Sequence, residues 1–142
     1  MTIRAHGRGD RGSVSLFTVV VALGLLVAIG LVVDGGGKIR ALQRANAAAG
    51  EAARQGGQAI SAGPAIEGQA AGVDPLLAHA AAQSYLGSAG VDGTVTVVGG
   101  GTELEVTTTT TYEPVFLSLI GVGPMTTTGH AKVRLARGPN GA

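Results

Sequence analysis

Apolar residues crowd the first quarter of the chain and then thin out into three different rhythms. From Ser13 to Val33 the sequence reads SVSLFTVVVALGLLVAIGLVV, without one charged side chain. At about 1.5 Å per residue a helix of that length spans roughly 30 Å, the hydrocarbon thickness of a bilayer. Lipid leaves the backbone no partner but itself, so this Val-rich run is expected to be helical despite its modest propensity in water. A domain this small could hardly bury such a helix on all sides. A cleaved signal peptide would have a shorter apolar region and a small-residue cleavage site after it; neither is present, so 13–33 is expected to be a retained transmembrane helix.

Asp34-Gly35-Gly36-Gly37 then breaks the apolar run. It suits a hinge at the membrane surface, or a thin, closely packed stretch of a longer helix. Residues 38–60 are rich in Ala, Leu, Gln, Arg and Glu, all good helix formers. Ile39, Leu42, Ala45 or Asn46, Ala49, Ala52 or Ala53, Gly56 and Ile60 recur at helical spacing. That thin stripe serves either to pack the helix on its own domain or to meet other subunits. Its members Ile39, Leu42, Ala45, Ala49 and Ala52 are therefore candidate partner contacts.

Gly, Ala and Pro mark 61–72 as a linker. Asp74-Pro75 has the form of a helix cap and first helical residue, opening a helix that stops near Gly87 or Gly90. The period then falls to two. Strands are expected at Thr94–Val97, Glu103–Tyr112 and Met125–Ala136, with Asp92-Gly93 and Gly99-Gly100-Gly101 as turns. Leu104 and Val106 share a face with none of the charges. Glu103 and Glu105 fall opposite Lys132 and Arg134 if the last two strands pair antiparallel. Pro114–Gly121 is the most hydrophobic stretch outside the anchor and too short to span a bilayer. It either covers the core as a short helix or dips onto the membrane or a partner, which makes Phe116, Leu117 and Ile120 candidate contacts.

The fold class expected from these elements is α+β. One transmembrane helix continues into an Ala-rich helix, followed by one further helix and a three-stranded antiparallel sheet. The expected divisions are a basic leader at 1–12, the anchor at 13–33, the Ala-rich helix at 34–60, the linker at 61–72, an α+β domain at 73–137 and a flexible tail at 138–142.

Composition narrows the function. Among 142 residues there are two Phe, two Tyr and no Trp, so the core must be built from small aliphatic side chains. A net charge of +1 without clustered Lys and Arg speaks against nucleic-acid binding. The absence of cysteine excludes disulfides, thiolate metal sites and a cysteine nucleophile. His6, His79 and His130 stand in separate segments with no metal-ligand spacing. There is no G-x-S-x-G elbow, EF-hand loop or phosphate loop. No catalytic constellation emerges, so the chain is expected not to be an enzyme and to need no cofactor, metal or small-molecule substrate. Arg4, Arg8 and Arg11 precede the anchor and Lys38, Arg40 and Arg44 follow it. Counted alone these charges nearly balance, although Arg11 lies closer to the anchor than Lys38 does.

Three stretches carry a resemblance: Arg11-Gly12-Ser13-Val14-Ser15, Val32-Val33-Asp34-Gly35-Gly36 and Leu42-Gln43-Arg44-Ala45-Asn46-Ala47-Ala48-Ala49. Over about residues 8 to 60 the chain resembles the TadE/TadG-like proteins of Tad (Flp) pilus assembly. The Gly- and Ala-rich, cysteine-free composition is what an actinobacterial member would have. The resemblance implies a pilin-like, single-pass protein of the cytoplasmic membrane, with its N-terminus inside and its C-terminal domain outside. Its implied partners are the membrane and other pilus-assembly or pilin subunits, and its implied role is minor pilin or envelope assembly protein. It also implies a processing site between Gly12 and Ser13. Members cut there carry glutamate at the fifth position after the cut, where this chain has Phe17. That departure points away from cleavage and toward the TadG-like branch with a permanent anchor. The competing reading is a membrane-tethered binding module unrelated to pili, using the 115–121 patch or a sheet edge. A tethered enzyme assembled from scattered carboxylates is the third.

Overall fold

The computed structural model describes residues 10–59 and 72–135. Most of the expected linker, most of the leader, Ile60 and the C-terminal tail lie outside these residues. The first element, α1, is one unbroken helix from Asp10 to Gly57. Its 48 residues extend about 72 Å. The expected anchor and the Ala-rich segment are thus one rod, and the three glycines are helical rather than a hinge. Side chains from 12 to 29 are exposed, whereas from Gly30 onward one face is covered.

The rest of the chain builds a small cap on the C-terminal half of that rod. Helix α2 runs from Pro75 to Ala89. Asp74 caps it by accepting the Leu76 amide at 2.8 Å, and Gly90 ends it in the left-handed region at φ 63°. Gly87 remains helical. Three strands follow, β1 (Asp92–Val98), β2 (Glu103–Tyr112) and β3 (Met125–Arg134). They form an antiparallel sheet in the order β1-β2-β3. Asp92-Gly93 is the start of β1 rather than a turn, paired with Thr109 and Thr108. A side chain at Gly93 would press on the Thr107 carbonyl and Leu86, so glycine is placed there by close packing. The true β1–β2 turn is at Gly99-Gly100-Gly101, all with positive φ.

The predicted register holds between β2 and β3. Glu103 pairs with Arg134 and Glu105 with Lys132. The ion pairs themselves converge on Glu103, from Lys132 at 3.7 Å and Arg134 at 3.9 Å.

The inner face of the sheet packs on α1 and α2. Its core is Ala49, Ala52, Ala53, Ala78, Ala82, Leu86, Val95, Leu104, Val106 and Leu135. The covered face of α1 keeps the small members of the expected stripe and leaves out the large ones. It consists of Gly30, Asp34, Gly37, Ala41, Ala45, Ala49, Ala52, Ala53 and Gly56. Ile39 and Leu42, two of the three large members of the predicted stripe, are instead 58% and 40% exposed. Size explains the reversal. The sheet comes so near the helix that a Cβ at Gly129 would collide with the Ala45 backbone, and one at Gly56 would collide with Leu104. Apart from Asp34, only Gly and Ala fit between, so smallness rather than hydrophobicity selects the face.

Candidate functional site

The one buried acidic residue of the described chain is Asp34, 1% exposed, at the first position after the uncharged 13–33 stretch. Helical spacing puts it on the same face as Gly30 and Gly37, with Ala41 one turn further on. Above this face the chain leaves β2 at Tyr112, passes the buried Pro114, and makes a 3₁₀ turn at Leu117–Ile120.

Four donors converge on the Asp34 carboxylate. Oδ1 accepts the Tyr112 hydroxyl at 3.0 Å and the Val115 amide at 2.7 Å. Oδ2 accepts the Phe116 amide at 3.0 Å and the Leu117 amide at 2.7 Å. The first amides of a helical turn have no partner within it, so Asp34 acts as a cap supplied from another element. Burial alone would push the carboxyl upward in pKa. The amides of Leu117 and Val115, the Tyr112 hydroxyl and the Phe116 amide outweigh it and hold Asp34 below the ordinary carboxylate value. Tyr112 moves the opposite way, raised by burial and then by its bond to Asp34.

Two glycines make this approach possible. A Cβ at Gly37 would collide with the Tyr112 ring, and one at Gly30 would lie 2.8 Å from Phe116 Cβ. Gly35 and Gly36, between them in sequence, face open space. The lock is therefore Gly30, Asp34 and Gly37 on the helix, with Tyr112 and Val115–Leu117 on the cap. It joins residues up to 83 apart in sequence. It is a binding and positioning device: its groups orient a turn against a helix, and no nucleophile or proton-transfer pair is assembled.

Of the predicted contact residues, Phe116, Leu117 and Ile120 do not cover the core. They lie against the apolar 13–33 stretch of α1, lining a groove of about 220 Å³ with Leu23, Leu26, Val27, Gly30, Leu31 and Leu119. Ala45, Ala49 and Ala52 are fully covered by the protein's own sheet and α2, while Ile39 and Leu42 point outward. Gly12 and Ser13 are both helical and exposed. His79 is exposed on α2, and His130 Nδ1 meets the Thr107 hydroxyl at 3.2 Å. Among the described residues no group of His, Asp or Glu could hold a metal ion.

In the sequence Asp34 reads as the end of the apolar run and as part of the Val32–Gly36 resemblance, which does not reveal the lock. The available signal was an ionisable group at the edge of an apolar helix, which is costly unless it has dedicated partners.

One comparison with known families bears on α1. Residues 12–59 match the Flp pilus-assembly TadE/G-like family model. The match spans almost all of α1 and none of the sheet, and it supports a Tad/Flp pilus-associated role. No curated protein and no solved structure is significantly similar to the chain. Among the described residues α1 is the one helix long and apolar enough to cross a membrane. Helix and TadE/G-like domain together point to membrane association.

Proposed function

We propose that this chain is a membrane-anchored structural component of a Tad/Flp-type pilus machine, a minor pilin or envelope assembly protein that acts through protein–protein contacts. The observation that carries the reading is the coincidence of the TadE/G-like stretch, 12–59, with a rod half bare and half capped by a small α+β domain. The bare half suits a bilayer and the capped half has the layout of a pilin-like stem and head. We assign the N-terminus to the cytoplasm, since Arg11 lies nearer the anchor than Lys38. Phe17, in the place of the glutamate of processed pilins, favours an uncut anchor and the TadG-like branch.

Partner contacts are assigned to the outward face of α1 at Ile39 and Leu42, which the cap leaves uncovered. Deleting the gene in a cell that makes such pili is expected to reduce or abolish them; unchanged pili would refute the role. Because the chain has no cysteine, Ile39→Cys would supply a unique cross-linking site. It is expected to capture another pilus-assembly subunit in intact cells, while a cysteine at the covered Ala49 would not. N-terminal sequencing of the mature protein tests the anchor: a start at Ser13 would mean processing after Gly12, and a start near Asp34 would mean that no anchor is retained.

A further inference from the structure

We infer that the segment Val115–Ile120 is a second membrane-contacting element, immersed in the leaflet next to the head domain, with lipid acyl chains filling the groove it forms against α1. The inference rests on the membrane-anchor reading of 13–33.

Depth is the first argument. The groove's other wall is Leu23, Leu26, Val27, Gly30 and Leu31, all inside the uncharged anchor. Leu23 lies about 15 Å along the helix from Val33, and Leu31 about 3 Å. A segment packed on these residues while the anchor spans a bilayer lies beneath the level of Asp34, where the surroundings are hydrocarbon. Exposure fits: Leu119 is 81% exposed and Ile120 76% exposed, and neither meets the domain core.

Backbone bonding is the second argument, independent of the first. A surface loop in water can leave its amides and carbonyls to solvent, but a segment in lipid cannot. Here the amides of Val115, Phe116 and Leu117 go to Asp34. Those of Leu119, Gly121 and Val122 go to the carbonyls of Phe116, Ser118 and Leu117. The Val115 carbonyl accepts the Ser118 hydroxyl at 2.8 Å. Every carbonyl from 115 to 118 thus has a donor within seven residues of chain. The buried carboxylate of Asp34 thereby takes on a purpose: it satisfies the leading amides of a turn that water does not reach.

The chain contains no Trp, so single substitutions give unique fluorophores. Full-length Leu119→Trp, Val20→Trp and Leu76→Trp would be reconstituted in phosphatidylcholine–phosphatidylglycerol vesicles, with or without chain-brominated phosphatidylcholine. Iodide would be present on both sides of the membrane. Val20 is an exposed anchor position, and Leu76 is a leucine on α2 as exposed as Leu119, at 80%. The inference expects brominated lipid to quench Leu119→Trp severalfold, as it quenches Val20→Trp, while iodide quenches only Leu76→Trp. Ile120→Trp serves as the second probe should Leu119→Trp fail to fold. Iodide quenching of both 119 and 120 variants, with Val20→Trp still quenched by bromine, would overturn the membrane-contacting segment and leave the anchor standing. Shielding of both from both quenchers would mean a protein surface fills the groove, which also overturns it. Loss of bromine quenching at Val20→Trp would overturn the anchor and the segment together.

Discussion

The two ends of the head domain are held to the same helix by different forces. At the far end Ala49, Ala52 and Ala53 meet Ala78, Ala82, Leu86, Leu104 and Val106, all nearly or wholly buried. This is ordinary burial of apolar surface away from water. At the membrane end the contact is Gly30, Asp34 and Gly37 against Tyr112 and Val115–Leu117, held by four hydrogen bonds and two close glycine approaches. Between them the contact is mixed. The Thr108 hydroxyl is buried and donates to the Ala45 carbonyl at 2.7 Å, and the His130 amide donates to Asn46 Oδ1 at 3.2 Å. On the membrane-anchor reading proposed above, this end lies next to lipid, where the hydrophobic effect gives no reason for two apolar surfaces to associate and close packing and polar bonds must do it. The gradient from apolar to polar along α1 fits that change of solvent.

The largest effect is expected from breaking the far end. Leu104→Ala removes a wholly buried side chain and should cost about 3 kcal/mol. Chemical unfolding of the full chain in detergent micelles would measure it, with the cap lost as a unit. A smaller, local loss is expected from Gly37→Val, whose side chain must displace the Tyr112 ring; overpacking of this kind costs about 1–3 kcal/mol. Gly35→Val, facing open space two residues earlier, should leave stability within about 0.5 kcal/mol of the parent. Equal losses at 35 and 37 would mean that the helix is sensitive there for reasons other than the lock.

Acid sharpens the contrast further. Asp34 is held below its ordinary pKa in the folded protein, so folding favours its ionised form. Its contribution is complete above the ordinary Asp value, about 3.9, and disappears as pH falls through the lower folded value. Protection of the Val115–Leu117 amides should therefore decline below about pH 4 before that of Leu104 or Val106. The smallest change belongs to Glu103→Gln. Its ion pairs are long, and the Lys132 and Arg134 side chains are largely exposed; thermal unfolding should reveal a loss of at most about 0.5 kcal/mol.

The far end was largely legible in the sequence and the membrane end was not. Period-two alternation placed Leu104 and Val106 inward, and the opposite charges at Glu103, Glu105, Lys132 and Arg134 fixed the register. Asp74-Pro75 and Gly90 announced the limits of α2. On α1, helical spacing found the small members Ala45, Ala49, Ala52, Ala53 and Gly56 of the covered face, but it could not show that the sheet's close approach admits only small residues there and turns Ile39 and Leu42 outward. The lock escaped because it joins Asp34 to amides 81 to 83 positions away. Backbone donors of that kind leave no trace in side-chain pattern. Asp92-Gly93 was misplaced for a related reason: a glycine required by close packing looks, in sequence, like one required by a turn.

The central claim is that Asp34 ties the 115–117 turn to the helix at the membrane boundary. It is tested most directly by amide hydrogen exchange of the full chain in lipid nanodiscs, comparing the parent with Asp34→Asn. Asn keeps the shape but loses the charge, and its amide group can accept at one oxygen only. The account predicts that exchange at Val115, Phe116 and Leu117 rises about tenfold or more, the effect of losing charge-assisted bonds, while Leu104 and Val106 exchange as before. Unchanged protection at 115–117, or an equal rise throughout the sheet, would contradict it.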